Sequence, residues 1–157
     1  MGNQQRNSSK DIGWLGGFID GEGSLMMLKG QRRYTRKDGV ESKYVDPAIK
    51  ISGTEIKGLN HLTDILDKAE LPYHITWREP QKAAYKKSWM VEVKGVKRCF
   101  RWCQVLLDCL VIKKHEAELM FEYCNLRLNN NHKAPYTERE LGIIQALRGR
   151  RLGTRLC

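Results

Sequence analysis

Residues 14–25 read "WLGGFIDGEGSL". The stretch starts as an apolar helix, yet Gly16 and Gly17 interrupt its apolar part. It ends on two acids, Asp20 and Glu22, with Gly21 between them and Gly23 behind. A glycine inside a helix costs about 1 kcal/mol relative to alanine. An acid at a helix C-terminus meets the negative end of the macrodipole. Two penalties placed so close together point to a helix that serves more than its own stability.

Around this stretch the chain alternates helices and strand pairs. The pattern predicts a helix over 11–21, with Asp11 or Ser9 as N-cap. Strands follow at 24–29 and 44–52, joined by a long basic loop containing "GQRRYTRKDG". In the second strand Val45, Ile49 and Ile51 share one face, and Tyr44, Lys50 and Ser52 the other. Pro47 marks an edge or a bulge there. Residues 54–70 read as a helix with Leu59, Leu62, Ile65, Leu66 and Ala69 at helical spacing. "YHITWR" then turns Ile75 and Trp77 inward and His74, Thr76 and Arg78 outward. "SWMVEVK" turns Trp89, Val91 and Val93 inward and Ser88, Met90 and Glu92 outward. Helices follow over 96–111, 113–129 and 137–148, the last opened by a capping box of Thr137 and Glu140. The order is α-β-β-α-β-β-α with added C-terminal helices, an α+β class. Its antiparallel sheet packs one face on helices and leaves the other for a ligand.

The chain has 157 residues, which suits one domain over 1–157 with 149–157 as a basic tail. Lys and Arg number 28 against 18 acids, a net charge of +10. The positive residues gather in "KGQRRYTRK", "KGVKRCFR" and "RGRRLGTR". Repeated basic clusters in a small domain favour a polyanion, above all nucleic acid. They do not favour a membrane, because no basic stretch carries a wide apolar face and no apolar run reaches the ~20 residues of a span. The polar start "MGNQQRNSSKD" has no signal-peptide core, and Arg6 stands where a myristoylation signal wants Ser or Thr. An intracellular protein is expected, in a prokaryotic cytoplasm, an organelle or a nucleus. The five cysteines form no C-x-x-C pair and the four histidines are scattered, so buried apolar thiols are expected rather than a zinc site.

The residues from Leu15 to Gly23 resemble the nine-letter signature of the LAGLIDADG homing endonucleases, with Gly16 for Ala and Glu22 for the final Asp. The element order, chain length and basic charge match the single-motif members. The resemblance implies a saddle-shaped antiparallel sheet and paired signature helices, with Leu15, Gly16, Gly17 and Phe18 at a dimer interface. Small residues there permit an approach closer than the usual 8–10 Å between helix axes. It implies that Glu22 binds an essential divalent metal, Mg2+ or Mn2+ or a similar hard cation, near Gly21 and with Asp20 in support.

One motif supplies one carboxylate, and cutting both strands needs two centres. The resemblance therefore implies an isologous homodimer acting on a nearly palindromic double-stranded DNA target. Lys113 aligns with a basic catalytic residue at the start of the fourth helix. Lys57 aligns with another at the start of the second helix, although Gly53 departs from the polar residue expected nearby. On the sheet Lys50, Ser52, His74, Thr76, Arg78 and Ser88 would meet DNA, with Arg32, Arg33, Arg36 and Lys37 extending the contact from the loop. The implied activity is metal-dependent phosphodiester hydrolysis in intron homing. The alternatives within the fold are an RNA-splicing maturase, for which RNA would be a partner and "RGRRLGTR" a second surface, and a non-catalytic DNA-binding regulator.

Overall fold

The computed structural model describes residues 8–35, 38–39, 41–130 and 134–153. Helix α1 (Ser9–Glu22) leads into β1 (Gly23–Thr35) and β2 (Glu41–Gly53); α2 (Ile56–Lys68) leads into β3 (His74–Arg78) and β4 (Ser88–Lys94); α3 (Val96–Leu106), α4 (Lys114–Asn129) and α5 (Glu138–Gly153) complete the chain. The strands form one antiparallel sheet in the order β1-β2-β4-β3. This is the expected α+β order. Helix α1 is capped by Ser8 rather than by Ser9 or Asp11. Asp11 is the return partner of that cap: the Asp11 N–H donates to Ser8 Oγ at 3.1 Å, and the Ser8 N–H donates to Asp11 Oδ2 at 3.2 Å.

Sheet alternation follows the sequence where one face is buried. Val45, Ile49, Ile51, Trp89, Val91 and Val93 lie inward among the buried residues. They pack with Leu15, Ile19, Leu62, Ile65 and Leu66 from the first two helices and with Trp102, Leu106, Met120 and Cys124 from α3 and α4. Cys99, Cys103 and Cys124 are buried free thiols, as expected, and burial pushes the Cys103 thiol up to about 12. Trp77 departs from expectation. It is 44% exposed at the edge strand, with the Lys87 ammonium 5.4 Å from its ring centroid.

The basic segment expected as a loop is largely strand. β1 and β2 run on as a two-stranded arm, pairing Arg33 with Lys43 and Thr35 with Glu41 beyond an irregularity between Lys29 and Arg33. Gly30 is buried in that irregularity, where a Cβ would come within 2.8 Å of Asp46 Oδ2 and 3.0 Å of the Tyr44 carbonyl. Pro47 sits inside the sheet at the place where β4 has ended. Its carbonyl accepts from the Gly95 N–H at 3.0 Å, so its missing N–H faces a side with no strand. Two residues back, tyrosine hydroxyls replace that strand. The Val45 N–H donates to the Tyr136 hydroxyl at 2.8 Å, and the Tyr123 hydroxyl donates to the Val45 carbonyl at 3.0 Å.

The C-terminal helix is fastened by an ion pair. The expected capping box is half formed: the Glu140 N–H donates to Thr137 Oγ1 at 3.2 Å. The Glu140 carboxylate turns inward instead and meets Arg127 at 3.0 Å, with both side chains buried. Removing either partner would leave a buried charge uncompensated. α5 continues to Gly153, so residues 149–153 are helical.

Candidate active site and nucleic-acid interface

The C-terminus of α1 stands at one end of the sheet. Gly23 pairs with Ile51, which pairs in turn with Val91. Gly23 must be small, because a Cβ would meet Ile19 Cγ2 and the Ile19 carbonyl, both at 2.8 Å. Gly21 and Glu22 are exposed on this end. The Glu22 carboxylate has no ion pair or hydrogen bond among the described residues.

Asp20, expected to support Glu22, is not solvated at the helix end. It is 9% exposed and engaged by the turn between α3 and α4. The Val111 N–H donates to Asp20 Oδ2 at 2.9 Å, and the Lys113 N–H donates to Asp20 Oδ1 at 2.9 Å. Burial opposes ionisation of Asp20, but the N–H groups of 111–113 and the Lys113 charge outweigh it and hold the carboxyl below its usual range. Lys113 closes the loop by donating its Nζ to the Asp20 carbonyl. That places a cation on an unsatisfied carbonyl at the C-terminus of α1, where the dipole favours positive charge. Lys113 is thereby brought to the end of the helix that carries Glu22. It is the N-cap of α4 rather than its first residue.

Gly53 and Lys57 lie at the same end, since Gly53 pairs with Trp89 where β2 finishes. A Cβ on Gly53 would come within 2.5 Å of the Trp89 ring, so the residue is glycine because the indole occupies the space. That indole donates to the Glu55 carbonyl at 3.1 Å and fixes the start of α2. Lys57 is exposed in the first turn of α2, a place the macrodipole disfavours for a cation.

The structure divides the four residues expected at a dimer interface. Leu15 and Gly16 are buried within the chain. A Cβ on Gly16 would run into the Cys109 carbonyl, so this glycine admits the turn after α3 rather than a second copy. Phe18 is half-buried, stacked on Trp14 at 4.8 Å between ring centroids. Gly17 is exposed, with open space where its Cβ would stand, and so are Gly13 and Gly21. These three recur every fourth residue and give α1 a smooth outer face. Gly13 was not among the residues expected at an interface, although its spacing from Gly17 and Gly21 is a sequence signal. Beside this face the turn held by Asp20 carries Val111 and Ile112, 80% and 75% exposed.

The outer sheet face carries the residues expected there. Lys50, Glu92 and His74 form one cross-strand row, Ser52, Met90 and Thr76 the next, and Ser88 and Arg78 a third. Ser52, His74 and Arg78 are exposed; Lys50, Thr76 and Ser88 are half-buried. The Arg78 guanidinium lies 3.8 Å from Met90 Sδ. Lys50 is paired at 2.9 Å with Glu92, an acid not among the residues expected to meet DNA. Arg33 lies out on the arm, paired with Glu41 at 3.2 Å across the two strands. Arg32 belongs to β1 with its side chain outside the description, and Arg36 and Lys37 lie outside the described residues. Among the described residues no three His, Cys, Asp or Glu side chains form a metal cluster, and no helix is long and apolar enough to cross a membrane.

No family model and no curated protein sequence matches the chain. Solved structures do. The archaeal intron-encoded homing endonuclease I-Vdi141I, complexed with DNA, superposes with a TM-score of 0.64 at 19% identity, over 91% of this chain and 85% of that one. The group I intron-encoded homing endonuclease I-CeuI, complexed with DNA, gives 0.66 at 18% identity, over 90% and 67%. The homing endonuclease I-CvuI, solved with a DNA target in the presence of 2 mM Mg, gives 0.53 at 17% identity, over 89% and 78%. Helices on one face of a four-stranded antiparallel sheet, with an acidic helix end at one end of the sheet, make up an α+β fold. It is the fold of the LAGLIDADG homing endonucleases.

Proposed function

We propose that this protein is an intron-encoded, site-specific DNA endonuclease. It works as a homodimer and uses a divalent cation to cut both strands of a long, nearly palindromic target. The observation that carries this reading is the pair of groups at the α1 C-terminus: an exposed Glu22 carboxylate without a partner and a lysine, Lys113, fastened beside it.

The donor set suits a hard cation, since Glu22 offers carboxylate oxygen and Gly21 a backbone carbonyl. One chain supplies only one free carboxylate there, and a second copy across the smooth Gly13, Gly17 and Gly21 face would bring the other. The cation, when bound, activates water and stabilises the leaving 3′-oxygen. Glu22 would hold it, Lys113 would stabilise negative charge on the phosphorane, and Lys57 would orient the outer water network. Asp20 takes a different part. Its two oxygens accept the N–H groups that shape the turn, so it positions Lys113.

The sheet and arm read the target. At about 3.4 Å per residue, the 13 residues of β1 span roughly 40 Å. That length covers roughly twelve base pairs at 3.4 Å each. A two-stranded ribbon fits the major groove, where every base pair is distinguishable. The direct test is incubation of the purified protein and Mg2+ with a duplex spanning the intron insertion site with the intron removed. A double-strand break at that junction is expected, and intact duplex at stoichiometric protein would overturn the reading.

A further inference from the structure

We propose that Glu92 is a specificity-determining residue, forming with Lys50 a donor–acceptor pair that reads one G·C base pair in each half-site. The inference rests on the DNA-binding reading above and adds to it a residue of the opposite charge.

An acid at the centre of a surface meant for a polyanion needs a reason. Glu92 stands on β4 opposite Lys50 on β2 and His74 on β3. One oxygen, Oε2, lies 2.9 Å from Lys50 Nζ, and the other, Oε1, lies 2.9 Å from Lys94 Nζ. Its side chain is only 13% exposed although the face is open, because these neighbours cover it, and that of Lys50 is 24% exposed. Burial works against its ionisation, but the Lys94 and Lys50 ammonium groups keep the carboxyl below its usual range. The carboxylate is therefore charged and fixed, and the Lys50 ammonium is held at a set distance from it.

In the major groove guanine offers acceptors at O6 and N7, while its partner cytosine offers an N4 donor. O6 and N4 are joined by a Watson–Crick hydrogen bond of about 2.9 Å. Lys50 Nζ and Glu92 Oε2 present the complementary donor and acceptor at the same spacing. Lys50 has two further N–H groups for O6 or N7, and the carboxylate oxygen has a second lone pair for N4. With the pair inverted, the carboxylate faces O6 and the ammonium faces N4–H2; a T·A pair repeats one acceptor beside a donor, O4 beside N6, but puts the thymine methyl where guanine adds N7 as a second acceptor for Lys50. Lys94, 53% exposed, holds the far oxygen and leaves its own charge for phosphate.

Selection from a random-sequence duplex pool tests this with wild-type, Glu92→Gln, Lys50→Gln and the double variant, each checked for folding by thermal melting. The wild-type selection should show one position per half-site where G·C is favoured over C·G by about tenfold or more. Each single variant should flatten that same position, and the double variant should add little. Non-specific duplex binding should hold or rise in Glu92→Gln, since an acid leaves an anion-facing surface. An enriched site whose base preferences survive both single variants overturns the proposal and leaves the endonuclease reading standing. Wild-type protein that binds duplex but enriches no sequence overturns both. If Glu92→Gln does not fold, Lys50→Gln carries the same test.

Discussion

Asp20 and Lys113 bind each other twice: the Asp20 carboxylate accepts the Lys113 N–H at 2.9 Å, and the Lys113 ammonium donates to the Asp20 carbonyl. The two residues are far apart in sequence, and their contact joins the end of α1 to the start of α4. It makes the position of Lys113 a consequence of the signature helix.

Replacing Asp20 by Asn removes the charge and leaves an amide that can accept at one oxygen only. Hydrogen bonds to a charged group contribute about 1.5–3 kcal/mol each, so a loss of about 2–3 kcal/mol at neutral pH is expected in urea melts. The folded pKa of Asp20 is depressed below 3.8. Its contribution is therefore fully present above that value and fades as pH falls through the lower, folded value. The difference between wild-type and Asp20→Asn should be constant from pH 7 to 5 and shrink below 3.8. A gap that stays constant down to the lowest measurable pH would remove the carboxylate from this account.

Gly16 and Gly17 should separate when each is replaced by alanine. At Gly16 the new methyl meets the Cys109 backbone, and a shift of the turn costs roughly 1–3 kcal/mol. At Gly17 the methyl enters open space and improves helix propensity by up to about 1 kcal/mol in the monomer. Gly17→Leu should lower dimer affinity without unfolding the chain, as sedimentation velocity would show. A Gly17→Leu protein with wild-type sedimentation would place the interface elsewhere.

Lys113→Met should lower the cleavage rate by about 10²-fold, the size of one lost electrostatic stabiliser. Target affinity should change little, because the group acts on the reacting phosphate. Its second role at the helix end adds a stability loss of about 0.3–1 kcal/mol. Equal losses in binding and cleavage would make it a phosphate contact alone.

Arg78 is exposed at the end of the outer face, opposite Ser88. Arg78→Ala should cost about 1–3 kcal/mol in site-specific binding and relax preference at one base pair per half-site. Profiling on a randomised target reads both, and unchanged preference at every position would take Arg78 off the reading face.

Where a face is buried, the sequence spells it. Val45, Ile49 and Ile51 alternate with Tyr44, Lys50 and Ser52 because only one set enters the core. The arm lacks this signal. Residues 30–35 are polar on both faces and begin with a glycine, so they read as loop although 33–35 pair with β2. Trp77 looks like a core residue by alternation, but an edge strand gives it no neighbour on one side. The charges of Asp20 and Glu22 were legible at the end of the helix, but their division of labour was not. Asp20's donors lie 91 and 93 residues away, beyond any local pattern. Gly16 was legible as a close-approach glycine, and its partner, the Cys109 carbonyl, came from a distant turn.

The central claim is that the exposed Glu22 carboxylate holds the catalytic cation. Purified wild-type and Glu22→Gln proteins should be compared on one duplex target, with cleavage followed in Mg2+ and binding followed in Ca2+. The substitution keeps the shape and removes the charge, so cleavage should fall by at least about 10²-fold while affinity stays within a few-fold. Mg2+-dependent cutting by Glu22→Gln at the wild-type rate would contradict the account.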